Sequence, residues 1–284
     1  MESALYLIST PIGNRADITD RARQTLREVD VVYAEDTRRT GRLLGWIGSE
    51  APLRSLYEHN EAARVEEILG RLANRQCCAI VSDAGTPVVS DPGVRVVRAV
   101  LEAGFSVVPV PGASAVLAAL AASGLSGDRF VFLGFPPRRG AERAAWIDQA
   151  RGLPFTLVAF ESPRRIGRLL EDLREAGLAE RRCTVCRELT KLHETVRYGT
   201  VAEMAAEFAG ETKGEVTLVI EGSSSRGHEA WQERREEVER SAARMGEGGS
   251  SARDIREKLG DEYGVPRNVA YELGLRFGRK GRGP

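Results

Sequence analysis

The sequence predicts an α/β protein: two α/β domains followed by a small C-terminal helical piece. Three observations predict it. Short apolar runs alternate with amphipathic segments as far as about residue 222. The apolar runs are continuous rather than alternating, which marks strands buried on both faces of a mostly parallel sheet. Several of them end in loops of glycine, proline and small residues, and ligands bind outside the carboxyl ends of such strands.

The elements follow in order. Ala4–Ser9 reads as a strand, and Thr19 caps a helix that runs to about Val29. Asp30–Ala34 is a second strand and Leu53–Tyr57 a weaker third. Glu61–Ala73 carries Val65, Ile68, Leu69 and Leu72 at helical spacing, with Asn60 as its cap. A Cys77–Val81 strand leads into the loop Ser82-Asp-Ala-Gly-Thr-Pro-Val-Val-Ser-Asp-Pro-Gly93. Asp91-Pro92 suits an N-cap and first turn for a helix from Gly93 to Ala103, and Gly104 suits its C-cap. Phe105–Val110 is the next strand, and Ser114 opens a small-residue helix to Ser123.

A boundary near 124–128 separates a second α/β domain with a more mixed sheet. Its strands fall near Phe130–Leu133, Phe155–Phe160, Arg182–Arg187, Thr195–Tyr198 and Glu215–Glu221. Its helices fall near Glu142–Ala150, Pro163–Ala176 and Val201–Phe208. Gly222–Gly227 has linker composition. Helices near 228–245, 251–260 and 266–277 follow, a tail too small for a large core. The expected division is therefore 1–124, 125–222 and 223–284.

At 284 residues, 42% hydrophobic and 29% charged, the chain suits a globular protein of this size. No apolar run is long enough to span a membrane and Met1-Glu2-Ser3 does not open a signal peptide, so it reads as cytoplasmic. Net charge is zero, and bulk charge does not point to nucleic acid. Local charge is different: arginines 129, 138, 139, 143, 151, 164, 165 and 168 cluster against few acids. Arg276, Arg279, Lys280 and Arg282 add a second basic patch. Either patch is a phosphate surface or a solvated face. Cys183-Thr-Val-Cys186 sits on a strand at an odd offset, so its thiols face opposite ways; it reads as core packing, and no metal site is expected.

Three loops carry the chemistry: Ser9-Thr-Pro-Ile-Gly-Asn14, the 82–93 loop and Pro109-Val-Pro-Gly-Ala-Ser-Ala115. None is a dinucleotide fingerprint and no P-loop is present. Gly85 lets backbone approach a ligand closely. Together the loops suggest one small-molecule cleft.

In order along the chain, Thr10–Asn14, Ala34-Glu-Asp-Thr-Arg38, Glu58-His-Asn-Glu61, Ser82–Gly93, Ser123-Gly-Leu125, Glu161-Ser-Pro163, Arg187-Glu-Leu-Thr-Lys191, Gly214-Glu215 and Ala270-Tyr-Glu-Leu273 resemble the tetrapyrrole methylase superfamily, and within it the branch of bacterial 16S rRNA cytidine 2′-O-methyltransferases. The resemblance implies S-adenosylmethionine as cofactor, bound between two α/β domains, and a homodimer. It implies cofactor contacts at Pro11, at Asp83, Ala84, Gly85 and Thr86, at Ser114 and Ala115, and at Glu161, Gly214 and Glu215. The 35–38 and 187–191 motifs resemble the RNA branch and not the tetrapyrrole enzymes. The chain departs from the family pattern at Ala113, Arg164 and Arg39, and the last two keep or add positive charge.

The implied reaction needs a base for the ribose hydroxyl. Asp83, Asp36, Glu35 and Lys191 are the candidates, with no choice among them. Arg38, Arg138, Arg139, Arg143, Arg164 and Arg187 are the candidate RNA contacts. His59 either touches the target nucleotide or orders its loop by a hydrogen bond, and Asn60 beside it is named with the RNA contacts. His193 and His228 read as surface residues, and Trp46, Trp146 and Trp231 as packing. A porphyrin or corrin C-methyltransferase, and a non-catalytic ribosome-assembly factor, are the alternatives.

Overall fold

The computed structural model describes residues 1–223, 234–263, 265 and 267–278. The 224–227 part of the linker, His228, Trp231, Arg279, Lys280, Arg282 and the start of the expected 228–245 helix lie outside the described residues.

The chain forms two compact units. The first is Met1–Ala122 with Cys186–Val196 and Gly214–Thr217; the second is Ser123–Val185, Arg197–Lys213 and Leu218–Pro284. Two segments late in the chain, which sequence order assigns to the second half, therefore pack with the first unit.

The first unit is built on β1 (Leu5–Ile8), β2 (Val31–Ala34), β3 (Leu53–Ser55), β4 (Cys78–Val81) and β5 (Val107–Val110). They form a parallel sheet in the order β3-β2-β4-β1-β5. Strands β1, β2 and β4 are buried along nearly their whole length, which explains their unbroken apolar runs. Helices α1 (Asp20–Glu28) and α2 (Thr37–Ile47) contribute Leu26, Leu44 and Ile47 to a core on one face. Helices α3 (Glu61–Ala73) and α4 (Val94–Glu102) contribute Ile68, Leu72, Val96 and Val100 on the other. Full burial of side chains of this size stabilises by about 1.5–3 kcal/mol each before entropy is counted. Helix α5 (Ala115–Ala122) follows β5.

The second sheet has the order β6-β7-β10-β8-β9, from β6 (Phe130–Phe132), β7 (Thr156–Glu161), β8 (Arg182–Arg187), β9 (Thr195–Thr200) and β10 (Val216–Ile220). Helices α6 (Gly140–Gly152), α7 (Ile166–Leu173) and α8 (Val201–Glu207) accompany it. Cys183 and Cys186 are buried in β8, and burial pushes their thiols up to about 12 and about 11. They are inert core residues. The tail helices α9 (Arg235–Glu247), α10 (Ala252–Tyr263) and α11 (Arg267–Phe277) do close a small core of their own, around Val238, Ile255, Leu259 and Leu273.

Two local expectations need correction. Helix α4 is not capped by Asp91: Gly93, at φ +126°, occupies the N-cap, and Asp91 accepts a hydrogen bond from the Ser82 hydroxyl instead. Asn60 holds the N-cap of α3, but its side chain accepts from Tyr57 N–H at 2.8 Å and donates to the Ser55 carbonyl at 3.1 Å.

Candidate active site

The three small-residue loops leave the carboxyl ends of β1, β4 and β5 and are tied together by backbone. Thr10 and Gly85 exchange N–H···O bonds of 2.9 and 3.0 Å in a single antiparallel bridge. The Thr10 hydroxyl donates to the Ser82 carbonyl at 2.9 Å, and Ser9 N–H donates to the Val110 carbonyl at 3.1 Å. The Ser9 hydroxyl reaches Thr86 Oγ1 at 3.2 Å, and Thr86 reaches the Ala113 carbonyl at 3.4 Å. Gly85 has φ +85°, where only glycine is unstrained, and a Cβ there would lie 3.3 Å from Ile12 Cγ2. Ser114 stands just before α5, its Oγ 3.4 Å from Leu117 N. Pro11, Asp83, Ala84, Gly85, Thr86, Ser114 and Ala115 thus belong to one rigid rim.

The Arg187–Lys191 segment docks on that rim within the first unit. Asn14 N–H donates to Thr190 Oγ1 at 3.0 Å. A Cβ on Gly13 would lie 2.4 Å from Lys191 Cγ and 3.1 Å from the Leu189 carbonyl. Glu188 and Thr190 sit at φ +53° and +66°, a left-handed backbone that non-glycine residues seldom adopt. The segment is held there by its polar contacts. Glu188 Oε1 accepts from the Glu215 N–H at 2.8 Å, and Glu188 N–H donates to the Glu215 carbonyl at 2.9 Å. Gly214, at φ +90°, has no room for a Cβ beside the Glu188 side chain. Lys191 Nζ donates to Glu188 at 2.8 Å and Glu215 at 2.9 Å. Burial works against its charge, but the two carboxylates outweigh burial and raise it above its ordinary value. Lys191 is therefore a fixed cation and does not accept a proton near neutral pH.

The acids behave differently from one another. Asp83 Oδ1 accepts from the Asp36 N–H at 3.1 Å, which ties the β4 loop to the start of α2. Asp36 caps α2, and hydrogen bonds from the Arg39 and Arg38 N–H groups hold its carboxyl below the usual range. Glu35 is raised by burial and by the neighbouring Asp83, Asp91 and Asp36. The Asp36 and Glu35 carboxyls are thus displaced in opposite directions by their surroundings. Glu61, quoted in its motif but given no role by the sequence, is 5% exposed and accepts the Gly93 N–H at 2.6 Å. It fixes the end of the 82–93 loop; the signal was a glutamate at the first residue of an otherwise ordinary amphipathic helix.

The expected RNA contacts divide. Arg38, Arg138, Arg139 and Arg164 are exposed, as is His59. Arg187 donates to Thr195 Oγ1 at 3.3 Å. Arg143 must be withdrawn as a contact: it is 6% exposed, ion-paired with Asp172 at 2.6 Å, and donates to the Pro137 carbonyl at 3.0 Å. The Asn60 side chain is bound within the 55–60 loop, to Tyr57 N–H and the Ser55 carbonyl. In the second unit, Glu161 is 2% exposed, ion-paired with Arg165 at 2.5 Å, and its Oε2 is buried without a hydrogen-bond partner.

An open-sheet α/β unit with glycine-bearing loops joined at the strand ends is the class of protein that binds small molecules at that edge of the sheet. Residues 4–205 match the model of the tetrapyrrole (corrin/porphyrin) methylases. A ribosomal RNA small subunit methyltransferase I of Synechocystis sp. is 41% identical over 95% of this chain and 97% of its own length. The protein of that name from Neisseria meningitidis serogroup B is 45% identical over 81% of this chain and 79% of its own. Among solved structures, a cobalt precorrin-4 methyltransferase of cobalamin biosynthesis superposes with a TM-score of 0.58 at 20% identity, over 77% of this chain and 95% of that one. The chain belongs to the tetrapyrrole methylase family, with the two-unit α/β fold that this likeness carries.

Proposed function

We propose that this protein transfers a methyl group from S-adenosylmethionine to the ribose 2′-hydroxyl of a cytidine in 16S rRNA of the small ribosomal subunit. The observation that carries the reading is the docking of the Arg187–Lys191 segment on the Thr10–Asn14 loop, next to the bridge between Thr10 and Gly85. This joins the motif resembling the RNA branch to the loops resembling the shared cofactor site. Relatives named for small-subunit rRNA methylation, at 41% and 45% identity, support the substrate.

The residues present suit the cofactor. The Gly85 backbone occupies a conformation and a space that a side chain would fill. The buried free oxygen of Glu161 is an acceptor waiting for a donor, and an unpaired buried carboxylate oxygen is costly unless a ligand satisfies it. We assign cofactor contacts in the first unit to Pro11, Asp83–Thr86, Ser114, Ala115, Gly214 and Glu215, and carry Glu161 of the second unit as the further contact that the resemblance implies. When bound, S-adenosylmethionine supplies a methyl group already activated by its sulfonium charge. The remaining work is positioning and proton removal. Asp83, anchored by Asp36 N–H, orients the hydroxyl; Glu35, the carboxyl raised toward neutral pH, takes its proton. Lys191, fixed as a cation between Glu188 and Glu215, holds the 187–191 segment in its docked position. Arg38, His59, Arg138, Arg139, Arg164 and Arg187 are assigned to RNA, whose target nucleotide enters unpaired. We place the enzyme in the cytoplasm as a homodimer, following the resemblance. Mass mapping of ribose methylation on small-subunit rRNA, with and without the enzyme, tests the reaction; light scattering tests the dimer.

A further inference from the structure

We propose that a cavity beside Asp83 seats one RNA backbone phosphate, gripped by Arg15, Arg39 and Arg42; the inference rests on the rRNA reading above and names the phosphate contacts of that site. The cavity, about 240 Å³, is lined by Thr10, Arg15, Arg39, Arg42 and Asp83 among others. Arg15 stands in the short helical turn Arg15–Asp17 that follows the Thr10–Asn14 loop. Arg39 and Arg42 are three residues apart on α2 and so project from one face.

All three arginines are exposed, and none of them is within ion-pair distance of a carboxylate among the described residues, although Arg42 is near enough to Asp36 to help hold its carboxyl down. Their neighbours are different: Arg38 pairs with Asp36 and Arg165 with Glu161. Arg15 leans on the Trp46 ring at 5.7 Å, a contact that leaves its donors free. The N–H groups of Arg38 and Arg39 are already taken by the Asp36 cap, so guanidinium donors, not the helix end, are what this wall offers an anion. Arginine forks match phosphate oxygens two at a time.

Pro11 and Asp83, assigned above to the cofactor, also line this cavity, so it borders the cofactor site; its size argues against the whole cofactor as occupant. Pockets for drug-sized ligands run to roughly 300–1,000 Å³, above this cavity. A phosphate with part of its sugar suits it better. A phosphate held here places the attached ribose toward Asp83, the carboxylate on the same wall.

The test uses the full-length Arg15→Gln/Arg39→Gln/Arg42→Gln protein, with Arg98→Gln, an exposed arginine of α4, as the control. Steady-state methylation of 16S rRNA, RNA binding across a salt series and calorimetry with S-adenosylmethionine are measured together. The expected result is a KM for RNA about tenfold higher with kcat changed less than about twofold. The slope of log affinity against log salt falls by about one unit or less, and cofactor affinity is unchanged. Unchanged KM and slope beside an active wild type overturn this inference alone. Weakened cofactor binding also overturns it, by giving the cavity to the cofactor carboxylate. A wild type that leaves the rRNA unmethylated sinks the rRNA reading itself, and this inference with it.

Discussion

Gly13 lies against Lys191 so closely that a Cβ would come within 2.4 Å of Lys191 Cγ and 2.8 Å of Thr190 Oγ1. Residues 178 positions apart in sequence are thereby locked into one surface. Gly13→Ala must push the 187–191 segment off the first loop, and the Leu189 carbonyl at 3.1 Å limits the escape. The expected outcome is a severe loss of methylation with the fold retained, followed by activity assay and circular dichroism. Full activity would show that the docking is incidental.

Gly85→Val is expected to abolish cofactor binding. The position has φ +85° and a Cβ approach of 3.3 Å to Ile12, and a β-branched residue is the worst choice for that backbone. Isothermal calorimetry on a folded variant with unaltered S-adenosylmethionine affinity would falsify the cofactor assignment of this loop.

The arginines of the second unit separate into two kinds. Arg143→Ala is expected to cost about 3 kcal/mol of stability, since it strands Asp172 in a largely buried pair. Arg138→Ala/Arg139→Ala is expected to leave stability unchanged and to lower the salt dependence of RNA binding, equally for matched and unmatched RNA. Thermal melts and binding across a salt series read the two effects. A destabilised double variant, or a neutral Arg143→Ala, contradicts the division.

Asp91 yields a pH prediction. Burial lifts its carboxyl above the usual range; the Ser82 hydroxyl opposes this and Asp83 adds to it. A carboxyl raised on folding holds its proton more firmly in the folded state. Stability therefore falls as pH rises from the unfolded value near 3.8 through the folded one. Asp91→Asn keeps an acceptor for Ser82 but removes the charge. Its melting temperature relative to wild type should be higher at pH 7 than at pH 3; a difference that is flat or reversed with pH argues against this account.

Much of the first unit was legible because its strands are buried on both faces and its helices carry clear apolar stripes. Helix α2 was not. Gly41, Gly45 and a run of arginines masked the stripe of Leu43, Leu44 and Ile47, although Asp36 was in place as a cap. Asp91-Pro92 carried a cap signal that the fold uses otherwise, because Gly93 takes the N-cap with its N–H bound to Glu61. Of the site, the loops could be found from glycines and small residues. The long-range pairs could not: nothing local links Gly13 to Lys191, or Arg143 to Asp172. Arg143 read as a surface cation because its burial depends on a partner 29 residues away.

The central claim is that the docked Arg187–Lys191 segment makes this family member an RNA enzyme. The direct measurement is nucleoside mass spectrometry of 16S rRNA incubated with S-adenosylmethionine and either wild type or Lys191→Met, with cofactor affinity measured in parallel. Lys191 is charged by its contacts with Glu188 and Glu215, so losing that charge should reach RNA methylation before cofactor binding. The account predicts a 2′-O-methylcytidine formed by wild type and nearly absent with Lys191→Met, at cofactor affinity within about threefold of wild type. No ribose methylation by wild type, with C-methylation of a porphyrin or corrin instead, would contradict it.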